Sequence, residues 1–269
     1  MSTVLSAAGA PPPRPRFFDS HCHLTDEPLA GRLEAVLARA RRAGITGIMV
    51  PGYDLDSSRA AARLAGRHPG LVFAVGVHPG WLERETFPAA GLRRLAAELR
   101  PAAIGEIGLD FALPGHDPAR QLAALECQLD LARELELPVI LHCRRAFQPL
   151  YDLLVNFPGL TGVLHAFNGG PEMAAKFLAR GFHLAFGGGV TRPNARKIRR
   201  TVPLVPGDHL LLETDAPYIG GHEIPADQME PARLPLIAAA LAALKNWDLE
   251  ETARRTTANA RRLFRLEEG

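Results

Sequence analysis

A chain of 269 residues with 47% hydrophobic side chains can bury one large core. Its formal net charge of +2 excludes the strongly basic balance of a protein that coats nucleic acid, and its apolar run at 234–244, interrupted by Pro235, is too short to cross a bilayer. Three cysteines are too few and too odd in number for a disulfide framework, and fit a reducing cytosol.

Residues 1–16 lack a charged segment followed by a long apolar one, which argues against a secretory signal. Their PPPRP stretch marks them as a disordered N-terminal extension. Short apolar runs that read as strands then recur at 17–20, 46–50, 71–77, 102–106, 139–142, 162–165, 183–186 and 210–213. Amphipathic stretches of helical period separate them, at 28–43, 55–68, 92–100, 118–137, 147–156, 171–180 and 193–202, and two more follow at 231–244 and 249–263. Pro118 and Pro171 stand where helices start, and Gly44, Gly70 and Gly181 just past helix ends, where a left-handed residue is wanted. Repeated β–α units predict a parallel sheet with right-handed crossovers. Eight such units in about 250 residues predict a closed (β/α)8 barrel, with a doubly wound open sheet as the alternative. No linker interrupts the alternation, so 17–269 reads as a single domain.

Polar residues capable of holding a metal stand at the carboxyl ends of these runs. His21 and His23 leave the first strand two residues apart, so they face one side while Cys22 faces away. Two converging imidazoles suit a metal ion. Glu106 closes the fourth run, where a carboxylate is costly to bury without a cation or a hydrogen-bond partner. His142 and His165 end the fifth and sixth runs, and Asp215 follows the eighth. In a barrel these ends share one rim, and closure brings Asp215 beside His21 and His23.

Other residues of the same rim are candidates for substrate contact. His78 follows the third run, and Arg144, two residues after His142, is placed to grip a phosphate or to pair with a nearby acid. Arg192 opens a basic run with Arg196, Lys197, Arg199 and Arg200 that reads either as a phosphate track or as a solvated helix face. Asp19 and Glu213 precede His21 and Asp215 by two residues, and either orient those ligands or make structural barrel contacts.

The segments DSHCHL (19–24), GVHP (76–79), GEIGLD (105–110), LPVILHCRR (137–145), HAFNGG (165–170), FGGG (186–189), LLETDAPY (211–218) and NARRLF (259–264) span nearly the whole chain in order. With them the sequence resembles the TatD family of metal-dependent hydrolases. The resemblance implies a (β/α)8 barrel with a two-metal centre and metal-dependent deoxyribonuclease activity. It implies that His21 and His23 hold one metal, His142 and His165 the other, that Glu106 bridges them and that Asp215 faces the nucleophile. Two departures stand out. Ser20 replaces a frequent Thr, and Met229, in QMEP (228–231), replaces a position near an Asn-x-Pro segment where an amide's hydrogen bonds are lost.

Four imidazoles and two carboxylates suit zinc, manganese, iron or nickel by ligand type, and the family resemblance adds magnesium. The expected cofactor is therefore a pair of divalent ions, Zn, Mn or Mg. The expected reaction is attack of metal-activated water on phosphorus, with Asp215 as general base and DNA, single-stranded or at its ends, as substrate in the cytoplasm. No membrane and no obligate protein partner is expected. An ester or amide hydrolase on the same metals, such as an aminoacyl-tRNA deacylase, is the alternative. A purely structural metal site is disfavoured, because six ligands spread over two ions leave open positions.

Overall fold

The computed structural model describes residues 15–82 and 86–267. The expected disordered extension, 1–16, lies almost wholly outside the described residues. Eight strands, β1 (Phe17–Asp19), β2 (Ile45–Val50), β3 (Leu71–Val75), β4 (Ala103–Asp110), β5 (Val139–Arg144), β6 (Gly162–Leu164), β7 (His183–Phe186) and β8 (Leu210–Leu212), pair in parallel in sequence order. Helices α1 (Leu33–Arg42), α2 (Leu55–Ala65), α3 (Pro79–Leu82), α4 (Ala89–Leu99), α5 (Pro118–Glu134), α6 (Phe147–Leu154), α7 (Pro171–Leu178) and α8 (Arg196–Thr201) occupy the crossovers. Two more, α9 (Leu234–Lys245) and α10 (Leu249–Leu263), follow β8. The sheet returns on itself where β8 meets β1: the N–H and hydroxyl of Ser20 both donate to the Leu212 carbonyl at 2.9 Å. The closed barrel is therefore the right reading and the open sheet is not. A serine suffices at position 20, because the hydroxyl is the group that is used.

Period-two alternation sorts the strand residues into two layers. One inward residue from each strand, Phe18, Met49, Ala74, Ala103, Ile140, Val163, Ala185 and Leu211, packs into a single cluster with Ala260, Leu263 and Phe264. The Phe18 and Phe264 rings lie 6.2 Å apart, so the end of α10 plugs the amino end of the barrel. Alternate residues such as Ile48, Val75, Ile104, Leu141, Leu164 and Leu184 pack outward under the helices. Each such side chain contributes roughly 1.5–3 kcal/mol on burial. With one end filled by apolar side chains, the carboxyl rim is the end left for polar chemistry.

Local signals set the helix ends. Asp117 caps α5 by accepting from the N–H groups of Ala119 and Arg120, with Pro118 first in the helix. Asp54 and Ser57 form a reciprocal capping box on α2, and Asp248 caps α10. Gly44 and Gly70 adopt φ of +87° and +88° where the chain turns into β2 and β3, a conformation that costs other residues more. Some boundaries differ from the sequence reading. The stretch 28–43 begins with a 3-10 turn at Ala30–Arg32, and the basic stretch 193–202 shrinks to the six residues of α8. The fourth strand runs four residues past Glu106, to Asp110.

Candidate active site

The placement of Glu106 depends on an irregularity in β4. Ala103 packs inside the barrel and Ile104 outside, so strict alternation would turn Glu106 outward with Ile104. The pairing with β5 slips instead: Ile104 faces Val139, but Ile107 faces Leu141. The extra residue turns Glu106 inward and returns Ile107 and Leu109 to the outer layer. Glu106 is then 3% exposed, at the centre of a ring of histidines.

Its two oxygens divide the ring. Oε2 lies 3.3 Å from His21 Nε2 and 3.5 Å from His23 Nε2. Asp215 Oδ1 joins that side, 3.7 Å from His21 Nε2 and 3.5 Å from His23 Nε2, and the two imidazole nitrogens are 3.0 Å apart. Oε1 lies 3.0 Å from His142 Nδ1, 2.9 Å from His165 Nε2 and 3.5 Å from His78 Nε2. All six residues read from the sequence as metal ligands therefore converge, with His78 beside them.

The substrate candidates sit at different depths. His78 touches the centre directly: its ring packs edge-on against His142 at 4.4 Å, and its Nδ1 accepts from the Gly80 N–H. Arg144 is exposed at the rim, with its guanidinium 3.7 Å from Asp110. Arg192 stands further out, donating to the Gly220 carbonyl at 2.9 Å.

Several functional neighbours escaped the sequence reading. Asp110 Oδ2 lies 3.3 Å from His142 Nε2 and fixes which nitrogen faces Glu106. Asp26 accepts hydroxyl hydrogen bonds from Tyr53 at 2.9 Å and Tyr218 at 2.6 Å, and its carboxylate stands 3.9 Å from His23 Nδ1. Nothing in the spacing of these loop residues betrays their meeting; GEIGLD offered the one available signal, an acid four residues past Glu106. Asp19 and Glu213 both lie buried behind the centre. Asp19 is fully buried and accepts from both the N–H and the hydroxyl of Thr214, at 2.9 and 2.6 Å. Glu213 accepts from the Ala166 N–H at 2.5 Å and lies 3.9 Å from His165 Nδ1.

The electrostatics divide the ring: the Glu106 and Asp215 carboxyls and the His21 and His78 imidazoles are lowered, while His23 and His142 are raised. Burial alone would raise Glu106, but the rings of His165, His78 and His21 outweigh it and hold the carboxyl well below its usual range. Burial brings His21 down to about 4 and His78 to about 3, so both imidazoles are neutral with lone pairs available. Burial opposes charge at His142 too, yet its hydrogen bonds to Asp110 and Glu106 lift it to about 9. Asp215 is depressed despite burial, through its bond to His23 and the nearby histidines, and is ionised at neutral pH. Glu213 goes the opposite way, raised well above normal by burial and by Asp215.

The donor set tests well against a divalent cation. Nitrogen and oxygen ligand atoms of His21, His23 and Asp215, of His21, Glu106 and His165, and of His78, Glu106 and His142 each lie within 4.8 Å of one another. In His21, His23 and His165 it is Nε2 that faces Glu106, while the buried Nδ1 atoms on the other ring edges have no hydrogen-bond partner among the described residues. Neutral imidazoles with ionised carboxylates are the ligands that zinc-like ions take.

A parallel barrel with such a cluster at its carboxyl rim belongs to the class of metal-dependent hydrolases. Residues 18–265 match the TatD related DNase family, and the chain belongs to it. A 3'-5' ssDNA/RNA exonuclease TatD of Erwinia tasmaniensis is 39% identical over 258 residues, covering 93% of this chain and 100% of that protein. An uncharacterized metal-dependent hydrolase, YabD, of Bacillus subtilis is 34% identical over 252 residues, covering 93% and 99%. The crystal structure of the TatD homolog YjjV from Escherichia coli superposes with a TM-score of 0.89 at 35% identity, covering 94% of this chain and 99% of that one. These relatives support the nuclease reading and not the deacylase alternative. Among the described residues no helix is long and apolar enough to cross a membrane.

Proposed function

We propose that this protein hydrolyses phosphodiester bonds at the ends of single-stranded DNA, using two divalent cations, Zn, Mn or Mg. One observation carries the reading: Glu106 offers Oε2 to the side holding His21, His23 and Asp215, and Oε1 to the side holding His142 and His165. One carboxylate between two sets of donors is the arrangement of a bridged two-metal site. His21, His23 and Asp215 would hold one ion and His142 and His165 the other, with Glu106 shared. Ions there would acidify water and offset charge on the phosphate oxygens.

The chain's own groups do the rest. Asp215, ionised and buried at the rim, accepts the proton of the attacking water. Arg144 and His78 flank the phosphate, and Asp110 holds the His142 ring in the orientation that faces Glu106. Cys143 is pushed up to about 12 by burial and Cys22 is raised well above normal, so neither supplies a thiolate nucleophile. Three free cysteines fit action in the cytoplasm, by residues 17–269 as one domain.

The test is turnover of short single-stranded DNA, duplex DNA, single-stranded RNA and an aminoacyl ester with Mg, Mn or Zn, and with chelator. Cation-dependent shortening of the single strand from one end is expected, lost in Asp215→Asn while the melting temperature of the metal-free protein is kept. Turnover of the ester alone, or full activity of Asp215→Asn, would refute the assignment.

A further inference from the structure

A wide, open depression of about 610 Å³ lies beside the candidate centre, lined by Arg192, Tyr218, Gly221, Glu223, Ile224 and Pro225. Its size is that of a small-molecule site and exceeds what a phosphate group needs. The chain enters its wall directly from Asp215, whose carbonyl accepts the Tyr218 N–H at 2.8 Å. The Tyr218 ring meets the His23 ring at 4.9 Å, at an interplanar angle of 89°.

Tyr218 is 59% exposed, and is the one aromatic residue among the exposed large apolar side chains of the described residues. It is also held firmly. Its hydroxyl donates to Asp26, which is 9% exposed and also accepts from Tyr53. An aromatic face that folding leaves in water but fixes in place is ready for a ligand without further ordering cost. The opposite wall is preformed as well. Gly221 and Ile224 pair across the loop, Arg192 donates to Gly220, and Thr191 Oγ1 accepts from the His222 N–H at 2.7 Å. The charge is mixed: the Glu223 carboxylate offsets Arg192, which has one donor on a carbonyl. Such a wall suits a neutral base and sugar better than a second phosphate.

We propose that this depression is the nucleoside subsite, in which the base beside the scissile phosphate stacks on Tyr218. The proposal rests on the phosphodiesterase reading and specifies what that site selects. A base already paired and stacked in a duplex cannot turn its face to Tyr218, so the subsite selects unpaired ends.

Two substrates that share a leaving group test it: the p-nitrophenyl ester of thymidine 5'-phosphate, and methyl p-nitrophenyl phosphate. Stacking on one aromatic ring predicts a KM for the thymidine ester about 10-fold or more below that of the methyl ester on the unaltered protein. Tyr218→Leu should bring this ratio close to one. Tyr218→Phe keeps the ring and loses the bond to Asp26, and should retain most of the ratio. Equal KM values on the unaltered protein, an unchanged ratio in Tyr218→Leu, or a Phe variant that behaves like Leu would each overturn the subsite and leave the phosphodiesterase reading standing. No turnover of either ester or of any oligonucleotide, with any of the three cations, would overturn both.

Discussion

Asp110 makes the candidate centre depend on a side chain that faces a ligand's far side. It is 3% exposed, its Oδ2 lies 3.3 Å from His142 Nε2, and its Oδ1 accepts the Ala112 N–H at 2.9 Å. Asp110→Asn keeps the volume and an acceptor for Ala112, but removes the charge that aligns the imidazole. At this burial, water screens the lost interaction little. Losing a carboxylate partner behind a ligating histidine costs about 10–100-fold in metal affinity, or about 1.4–2.7 kcal/mol. Titration of manganese into metal-free protein by calorimetry should show that loss for the ion on the His142 side. The melting temperature of the metal-free protein should move by no more than about 2–4 °C. Unchanged affinity would mean that His142 is oriented without Asp110. A collapse in melting temperature would mean that Asp110 serves the fold instead.

Glu106→Ala should lose both ions together, and elemental analysis finding two ions per chain would remove the bridging assignment. Arg144→Ala should weaken binding of single-stranded DNA and lower its log–log salt slope by about 0.7 for one lost phosphate contact; an unchanged slope would place Arg144 off the strand's path. His183 gives a pH signature away from the centre. It is 8% exposed and stacked on His209 at 5.1 Å, and burial, then His209 and Arg262, lowers it from 6.5 to about 4. In that window the unfolded chain binds the proton and the folded one does not. The stability is therefore whole above pH 6.5 and is lost as pH falls toward 4, by up to about 2–3 kcal/mol. His183→Gln should show a shallower loss of stability over that range, and parallel curves for the two proteins would refute the assignment.

What was legible in the sequence was polarity against periodicity. His21, His23, His142, His165 and Asp215 interrupt or follow apolar runs, and parallel topology gathers the ends of such runs. Glu106 was found by the same rule, but the rule does not explain its direction. The register slip against β5 turns it inward, and pairing register is not written in one strand alone. Reading β4 as ending at Glu106 left Asp110 in a loop, and its bond to His142 out of reach. Asp26, Tyr53 and Tyr218 belong to three separate loops, after β1, β2 and β8, and meet only because the barrel closes. Met229 shows the opposite limit. The amide it lacks was visible, but not that its side chain is 1% exposed in apolar packing. Nor was it visible that the next residue, Glu230, binds Arg39 through two bonds of 2.7 and 2.6 Å, tying the segment to α1.

Closure of the barrel and assembly of the centre use the same hydrogen bonds. Ser20 to Leu212, Asp19 to Thr214, the Asp215 N–H to the His21 carbonyl and the His23 N–H to the Ala216 carbonyl join residues more than 190 positions apart. They seal the seam between β1 and β8, and they also set His21, His23 and Asp215 against one another. A cation held by those three residues would bind only the closed barrel, and its binding energy would add to the stability of the seam. The apolar plug of Leu263 and Phe264 closes the other end. Stability from packing enters at one end of the barrel, and stability from ligation would enter at the other. The polar end holds Glu213, raised by burial and by Asp215, beside a depressed Asp215 in close quarters.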